Sequence, residues 1–145
     1  MVGGRVTRTY VLTLRECPKS VNAGGGGSRA NHFVASREKR RWQGAFLAEL
    51  MIAKVPKGMT HCKVDVTIRW KHKNHRDLEN YRHPVVKPLA DTLAPPKGSH
   101  APRWLPDDTE EFFEVTGFRF EYPPEWPSIL SKVELIVKLT ATYEE

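Results

Sequence analysis

Polar and apolar residues alternate over residues 9–14, with Tyr10, Leu12 and Leu14 on one side, which predicts a first strand. The clearest alternation runs over residues 62–70: Cys62, Val64, Val66, Ile68 and Trp70 face one way, while Lys63, Asp65, Thr67 and Arg69 face the other. Residues 112–122 and 133–143 predict two further strands, the last with Val133, Leu135, Val137, Leu139 and Ala141 as its inward row. Between the first two strands the period lengthens. Trp42, Ala45, Phe46, Leu50 and Ala53 recur at helical spacing, Ser36 is a suitable N-cap, and Pro56-Lys57-Gly58 is a stop, so a helix is expected over about 36–55. A shorter helix is expected around 88–93, with Pro88 in its first turn. These elements give a single α+β domain: a mixed or antiparallel sheet of about four strands with two to three helices packed on it. No internal repeat interrupts this pattern.

The run Gly24-Gly25-Gly26-Gly27-Ser28 carries too much backbone entropy for a regular element, so residues 18–35 are expected to form a flexible loop. It lies within the domain, because the first 14 residues are too few to fold alone. Arg29, Asn31 and His32 beside it leave two readings open, a loop that closes on a polyanion and a plain surface excursion.

Composition narrows the class. With 39% hydrophobic and 28% charged residues in 145, the chain is globular rather than generally disordered. No apolar run approaches the roughly 18 residues that span a bilayer, and residues 1–14 lack a signal-peptide pattern. Two isolated cysteines, Cys17 and Cys62, suggest neither a disulfide framework nor a zinc site, which points to a reducing, cytoplasmic setting. The net charge of +6 favours a polyanionic partner. Its distribution says more. Arg37, Arg40 and Arg41 fall on one face near the expected start of the first helix, where the helix dipole favours phosphate, although a solvated charged face is the commoner meaning. Arg69, Lys71, Lys73 and Arg76, with His72 and His75, form a basic strip without an acid between 69 and 76.

Immediately after the strip the sign of charge flips, at Asp77 and Glu79. In an extended chain residues i and i+2 share a side, so the two carboxylates would converge. Converging carboxylates repel unless a cation or proton lies between them, and oxygen ligands of this kind suit Mg²⁺ or Mn²⁺. A basic strip leading into an acidic pair is what metal-assisted phosphodiester hydrolysis needs. A lone Asp-x-Glu is common and carries little by itself. His72-x-x-His75 with Cys62 and His83 fits no zinc-ligand spacing. Trp70, Tyr81 and Trp104 are candidates either for stacking on bases or for the core.

Further motifs follow in order: Arg76-Asp77-Leu78-Glu79-Asn80, then Lys87 with Asp91-Thr92-Leu93, then Trp104 shortly before Asp107-Asp108. Over residues 76–108 this resembles the RusA family of Holliday junction resolvases, which carry Arg-Asp-x-Asp-Asn, a Lys followed by Asp-Ala-Leu, and a Trp before an Asp-Asp pair. The resemblance implies a homodimeric, Mg²⁺-dependent endonuclease (Mn²⁺ as a substitute) that acts on branched DNA such as the four-way junction. No small-molecule cofactor is implied, and the host is a bacterial cell or one infected by phage. It implies Asp77, Glu79 and Asp108 as metal carboxylates, Asp91 and Asp107 as further candidates, and Lys87 beside the scissile phosphate. The basic strip Arg69, Lys71, Lys73 and Arg76 and the face Arg37, Arg40 and Arg41 are then expected, from their charge, to position the DNA arms without reading sequence. For Asp91 a plain i,i+4 ion pair with Lys87 competes, and for Asp107-Asp108 an acidic turn. Two departures stand out. Glu79 replaces the second aspartate, and residues 81–86 separate Asn80 from Lys87 where the family usually places one or two residues. Those residues are expected to bulge ahead of a helix that Lys87 enters, either carrying Arg82 and His83 to DNA or as filler. A module of the same fold that binds branched DNA without cutting is the alternative; a nuclease acting on structured RNA is a third reading.

Overall fold

The computed structural model describes residues 4–20, 29–126 and 131–145, with the backbone alone over 29–35. Six elements follow in order: β1 (Arg5–Leu14), α1 (Arg29–Ile52), β2 (His61–Trp70), α2 (Glu79–Leu93), β3 (Phe113–Glu121) and β4 (Val133–Glu144). The four strands form one sheet in the order β1-β4-β2-β3. β4 runs antiparallel to β1 and β2, whereas β2 and β3 are parallel. A parallel pair needs a crossover connection, and α2 lies on it. The domain is therefore α+β with a mixed sheet.

Register lines up the apolar rows that the alternation predicts. Leu12 and Val66 both sit opposite Val137, and Leu14 and Ile68 both sit opposite Leu135. β3 keeps to this face through a bulge: Phe113 and Val115 pair with Cys62 and Val64, then a shift brings Phe118 and Phe120 opposite Val66 and Ile68. One additional residue inverts the parity of a strand, which explains why its aromatic residues do not follow a single alternation. Gly117 stands at the bulge, and a Cβ there would run into the Asp65 carboxylate. Trp42, Phe46 and Leu50 of α1, with Val85, Leu89 and Leu93 of α2, join the same buried cluster. Each such side chain contributes roughly 1.5–3 kcal/mol by leaving water.

The opposite face is polar. Asp65 accepts from Arg119 at 2.7 and 2.8 Å, and this hydrogen bond holds the Asp65 carboxyl below its ordinary value of 3.8. A carboxylate whose folded value is depressed stabilises above its unfolded value and loses that contribution as pH falls through the folded one. Asp65→Asn is therefore expected to lower stability at neutral pH by no more than about 1 kcal/mol, as for exposed pairs. The difference from the parent should vanish well below pH 3.8. Denaturation curves at the two pH values check this.

Both helices depart from the sequence-based bounds. α1 is already helical at Arg29, so Ser36 is not its N-cap, and of the loop expected over 18–35 residues 29–35 are helix while 21–28 lie outside the described residues. Nothing in residues 29–35 breaks a helix; the entropy of the glycine run reaches only to Ser28. At its other end α1 closes with Lys54 in the left-handed region (φ 55°), Val55 N–H on Leu50 O at 3.0 Å and Lys54 N–H on Met51 O at 3.1 Å. This is a Schellman closure with lysine where glycine is usual. α2 begins at Glu79 and runs through Pro84 and Pro88, so residues 81–86 are its first turns rather than a bulge, and Lys87 is an interior residue. An interior proline costs roughly 3 kcal/mol, but Val85, Leu89 and Leu93 are fully buried on this helix and offset it. Among the described residues, no helix is long and apolar enough to cross a membrane.

Candidate functional site

Once residues 79–93 are one helix, the spacing of their polar residues acquires a meaning. Glu79, Arg82, His83, Val86, Lys87 and Ala90 follow i, i+3, i+4, i+7, i+8, i+11, a single helical stripe, and all six line a cleft of about 910 Å³. The opposite wall comes from the turn after Trp104 and from the start of β3: Asp108, Glu110, Phe113, Glu114 and Val115. Three of the site residues named from sequence, Glu79, Lys87 and Asp108, thus share one cleft. Glu79 and Lys87 lie about 12 Å apart along the helix axis, at a rise of 1.5 Å per residue.

Lys87 is the centre of the polar contacts. Its Nζ is 3.1 Å from Asp91 Oδ1, one turn on, and 3.6 Å from Asp108 Oδ2 across the cleft. The hydrogen bond to Asp91 is the largest cause holding the Lys87 amine above its ordinary 10.5; partial burial opposes it, and the charges of Asp91 and Asp108 add to it. The other Asp91 oxygen, Oδ2, is 2.8 Å from Lys39 Nζ of α1. Asp91 is thus paired on both oxygens and is not among the residues lining the cleft. Asp107 does not line it either; its Oδ1 accepts the Asp108 N–H at 2.8 Å and shapes the turn.

Asp77 lies outside the stripe. Residues 77–79 are not extended, because Leu78 has helical angles and Asp77 Oδ1 accepts the Glu79 N–H at 3.1 Å, capping α2. The i, i+2 convergence expected from an extended chain is therefore absent. Asp77→Ala is expected to cost about 1 kcal/mol through loss of this cap, while Asp77→Asn, which caps equally well, costs little. Urea midpoints of the two variants test this; equal losses would mean that the charge, not the cap, is what matters.

The basic residues divide into engaged and open ones. Arg69 reaches Glu134 at 3.2 Å and Glu121 at 3.8 Å, and Arg41 pairs with Glu16 and with Glu38. Arg76 stacks 3.8 Å above the Trp70 ring and donates to His72 O at 3.0 Å, which fixes the turn after β2. Lys71, Lys73, Arg37 and Arg40 are exposed. Because α1 starts at Arg29, Arg37, Arg40 and Arg41 sit inside the helix and not at its positive pole. Trp70, Tyr81 and Phe120 pack edge to face with centroids 5.5–5.8 Å apart, and Trp104 is buried, so the three aromatic candidates for base stacking are packing residues. Cys17 and Cys62 are free, and burial pushes both thiols up to about 12, so neither is a nucleophile near neutral pH.

A divalent ion has a partial fit here. Among the described residues no three His, Cys, Asp or Glu side chains are gathered closely enough to hold one, so the trio Asp77, Glu79 and Asp108 does not form a closed cage. The chemistry of the cleft nevertheless suits Mg²⁺, which usually sits on one or two carboxylates and completes its shell with water and substrate phosphates. Glu79, Asp108, Glu110 and Glu114 are the carboxylates that line it. Glu110, Glu114 and Lys39 are residues that sequence reasoning missed. The stripe 79/82/83/86/87 is the available signal for the cleft, masked by starting the helix near Pro88 and setting residues 81–86 aside as a bulge; Lys39 has none, since its partner lies on another helix. No protein-family model and no curated protein matches this sequence.

Proposed function

We propose that this chain is a metal-dependent, structure-selective DNA endonuclease whose reaction takes place in the cleft between α2 and the start of β3. The observation that carries the reading is the charge of that cleft. Glu79, Asp108, Glu110 and Glu114 oppose only two permanent cations, Arg82 and Lys87, with one histidine, His83. An acidic surplus of two charges repels a bare phosphodiester, and one divalent ion cancels that surplus. The exposed Lys71 and Lys73 in the turn after β2 would add sequence-independent affinity, and the motif order over residues 76–108 supports the same class.

Asp108 would hold the ion, with one of the other carboxylates that line the cleft, Glu79, Glu110 or Glu114, as a second ligand. When bound, a divalent ion supplies charge neutralisation at the phosphoryl oxygens and a water of lowered pKa. Lys87 donates to a non-bridging oxygen of the scissile phosphate and stabilises the charge that grows there. Arg82 and His83, one turn earlier on the same stripe, bind the flanking phosphate. A four-way junction is two-fold symmetric, so a homodimer would present two such clefts to opposing strands. The compartment that this implies is the DNA-containing cytoplasm of a bacterial cell or a phage-infected one.

One observation favours a second reading: the absence of a three-carboxylate cluster among the described residues suits a module that binds branched DNA and does not cut it. Incubation of a synthetic four-way junction with the protein in Mg²⁺ or Mn²⁺, beside Asp108→Asn, separates the two. Paired nicks by the parent alone are expected. Binding without nicks in either metal overturns the endonuclease, and preference for structured RNA moves the substrate class.

A further inference from the structure

Asp91 is an unusual carboxylate for a helix surface: its side chain is only 10% exposed, and it meets two ammonium groups from two helices, Lys87 at 3.1 Å and Lys39 at 2.8 Å. A carboxylate withdrawn from water is costly unless it is paired. With Lys87 alone the pair would be neutral, and the lysine would offer an incoming phosphate a cancelled charge. With Lys39 on the second oxygen, the group of three keeps one net positive charge. Lys87 is the member that faces the cleft, whereas Lys39 and Asp91 do not line it.

We infer that Lys39 and Asp91 are positioning residues: Asp91 fixes Lys87 on the cleft side of α2, and Lys39, acting through Asp91 from α1, fixes the anchor and restores the cationic charge that Asp91 would cancel. The role in catalysis rests on the cleft being the reaction site; the role in holding Lys87 does not. Lys87 also lies 3.6 Å from Asp108, so an unanchored Lys87 has a competing partner across the cleft. Lys39→Met and Asp91→Asn therefore release the same side chain, although they remove opposite charges.

Two measurements on the full chain test this. Side-chain relaxation at the Lys87 Cε methylene, recorded without DNA or metal, should report lower order in Lys39→Met and in Asp91→Asn, with parental order in Lys39→Arg. Unchanged order in both of the first two variants overturns the inference. At saturating four-way junction in Mg²⁺, kcat should fall about tenfold or more in each, the usual cost of losing an outer-shell partner. Lys39→Met should add nothing further in an Asp91→Asn background. An effect of Lys39→Met confined to KM and additive with Asp91→Asn would instead make Lys39 a direct phosphate contact, against the inference. If the order changes as expected while the parent itself fails to cleave, the endonuclease reading falls and the anchoring of Lys87 stands.

Discussion

Trp104→Ala is expected to lower the free energy of unfolding by about 3–5 kcal/mol, the range for truncating a fully buried large side chain. The ring is 2% exposed, and its Nε1 donates to Val55 O at 2.8 Å, just past the closure of α1. The same residue accepts from Met59 N–H and donates its own N–H to Leu93 O, both at 2.9 Å. One position thus connects the end of α1, the entry to β2 and the end of α2. Trp104→Phe separates the two contributions: it keeps most of the apolar surface and leaves the Val55 carbonyl without a donor, a loss of about 1–3 kcal/mol. Guanidinium denaturation gives both values, and a loss below about 1 kcal/mol for the alanine variant would contradict this role. Because the chain turns from Trp104 into Asp107 and Asp108, the variant should also blunt any activity of the cleft without touching its lining.

The second large effect concerns Asp108. Asp108→Asn is expected to reduce junction cleavage by at least about 100-fold, since even outer-shell partners of a metal cost 10–100-fold when removed. Its stability should stay near the parent's, because the side chain is partly exposed and its contact with Lys87 is long, 3.6 Å, between groups open to solvent. Loss of cleavage with an unchanged denaturation curve is the expected pair of results. Full activity in this variant would remove Asp108 from the reaction. Substitution by asparagine keeps size and hydrogen bonding, so only the charge is tested.

Much of the fold was legible because alternation is a direct consequence of the strand repeat. The inward rows Leu12 and Leu14 of β1, Cys62 to Ile68 of β2 and Leu135 to Ala141 of β4 are the alternating residues, while Val11 is an apolar residue on the outer face. β3 was less legible at residue level, since its bulge between Val115 and Phe118 changes parity midway. α2 was misread for a specific reason. Local rules give Pro84 and Pro88 strong weight as boundaries, whereas the burial of Val85, Leu89 and Leu93 outweighs them, and that burial comes from partners distant in sequence. The misreading carried over to the site. With residues 81–86 set aside as a bulge, nothing puts Glu79 and Lys87 on one helical stripe, and Asp77 is grouped with Glu79 by an extended geometry that the chain does not adopt. From sequence Asp91 reads equally as an ion-pair partner or a ligand; it bridges two lysines, the second of them 52 positions earlier, and no local pattern encodes such a partner.

The placement of β4 has a consequence for biosynthesis. It follows β1, β2 and β3 along the chain, yet it lies between the first strand and the second and pairs with both. While residues 133–144 remain in the exit tunnel, β1 carries an unpaired edge and β2 lacks its antiparallel neighbour. Nascent chains of this protein therefore acquire their central seam only after residues 133–144 have emerged, and until then two apolar strand edges stand open to chaperones or to one another.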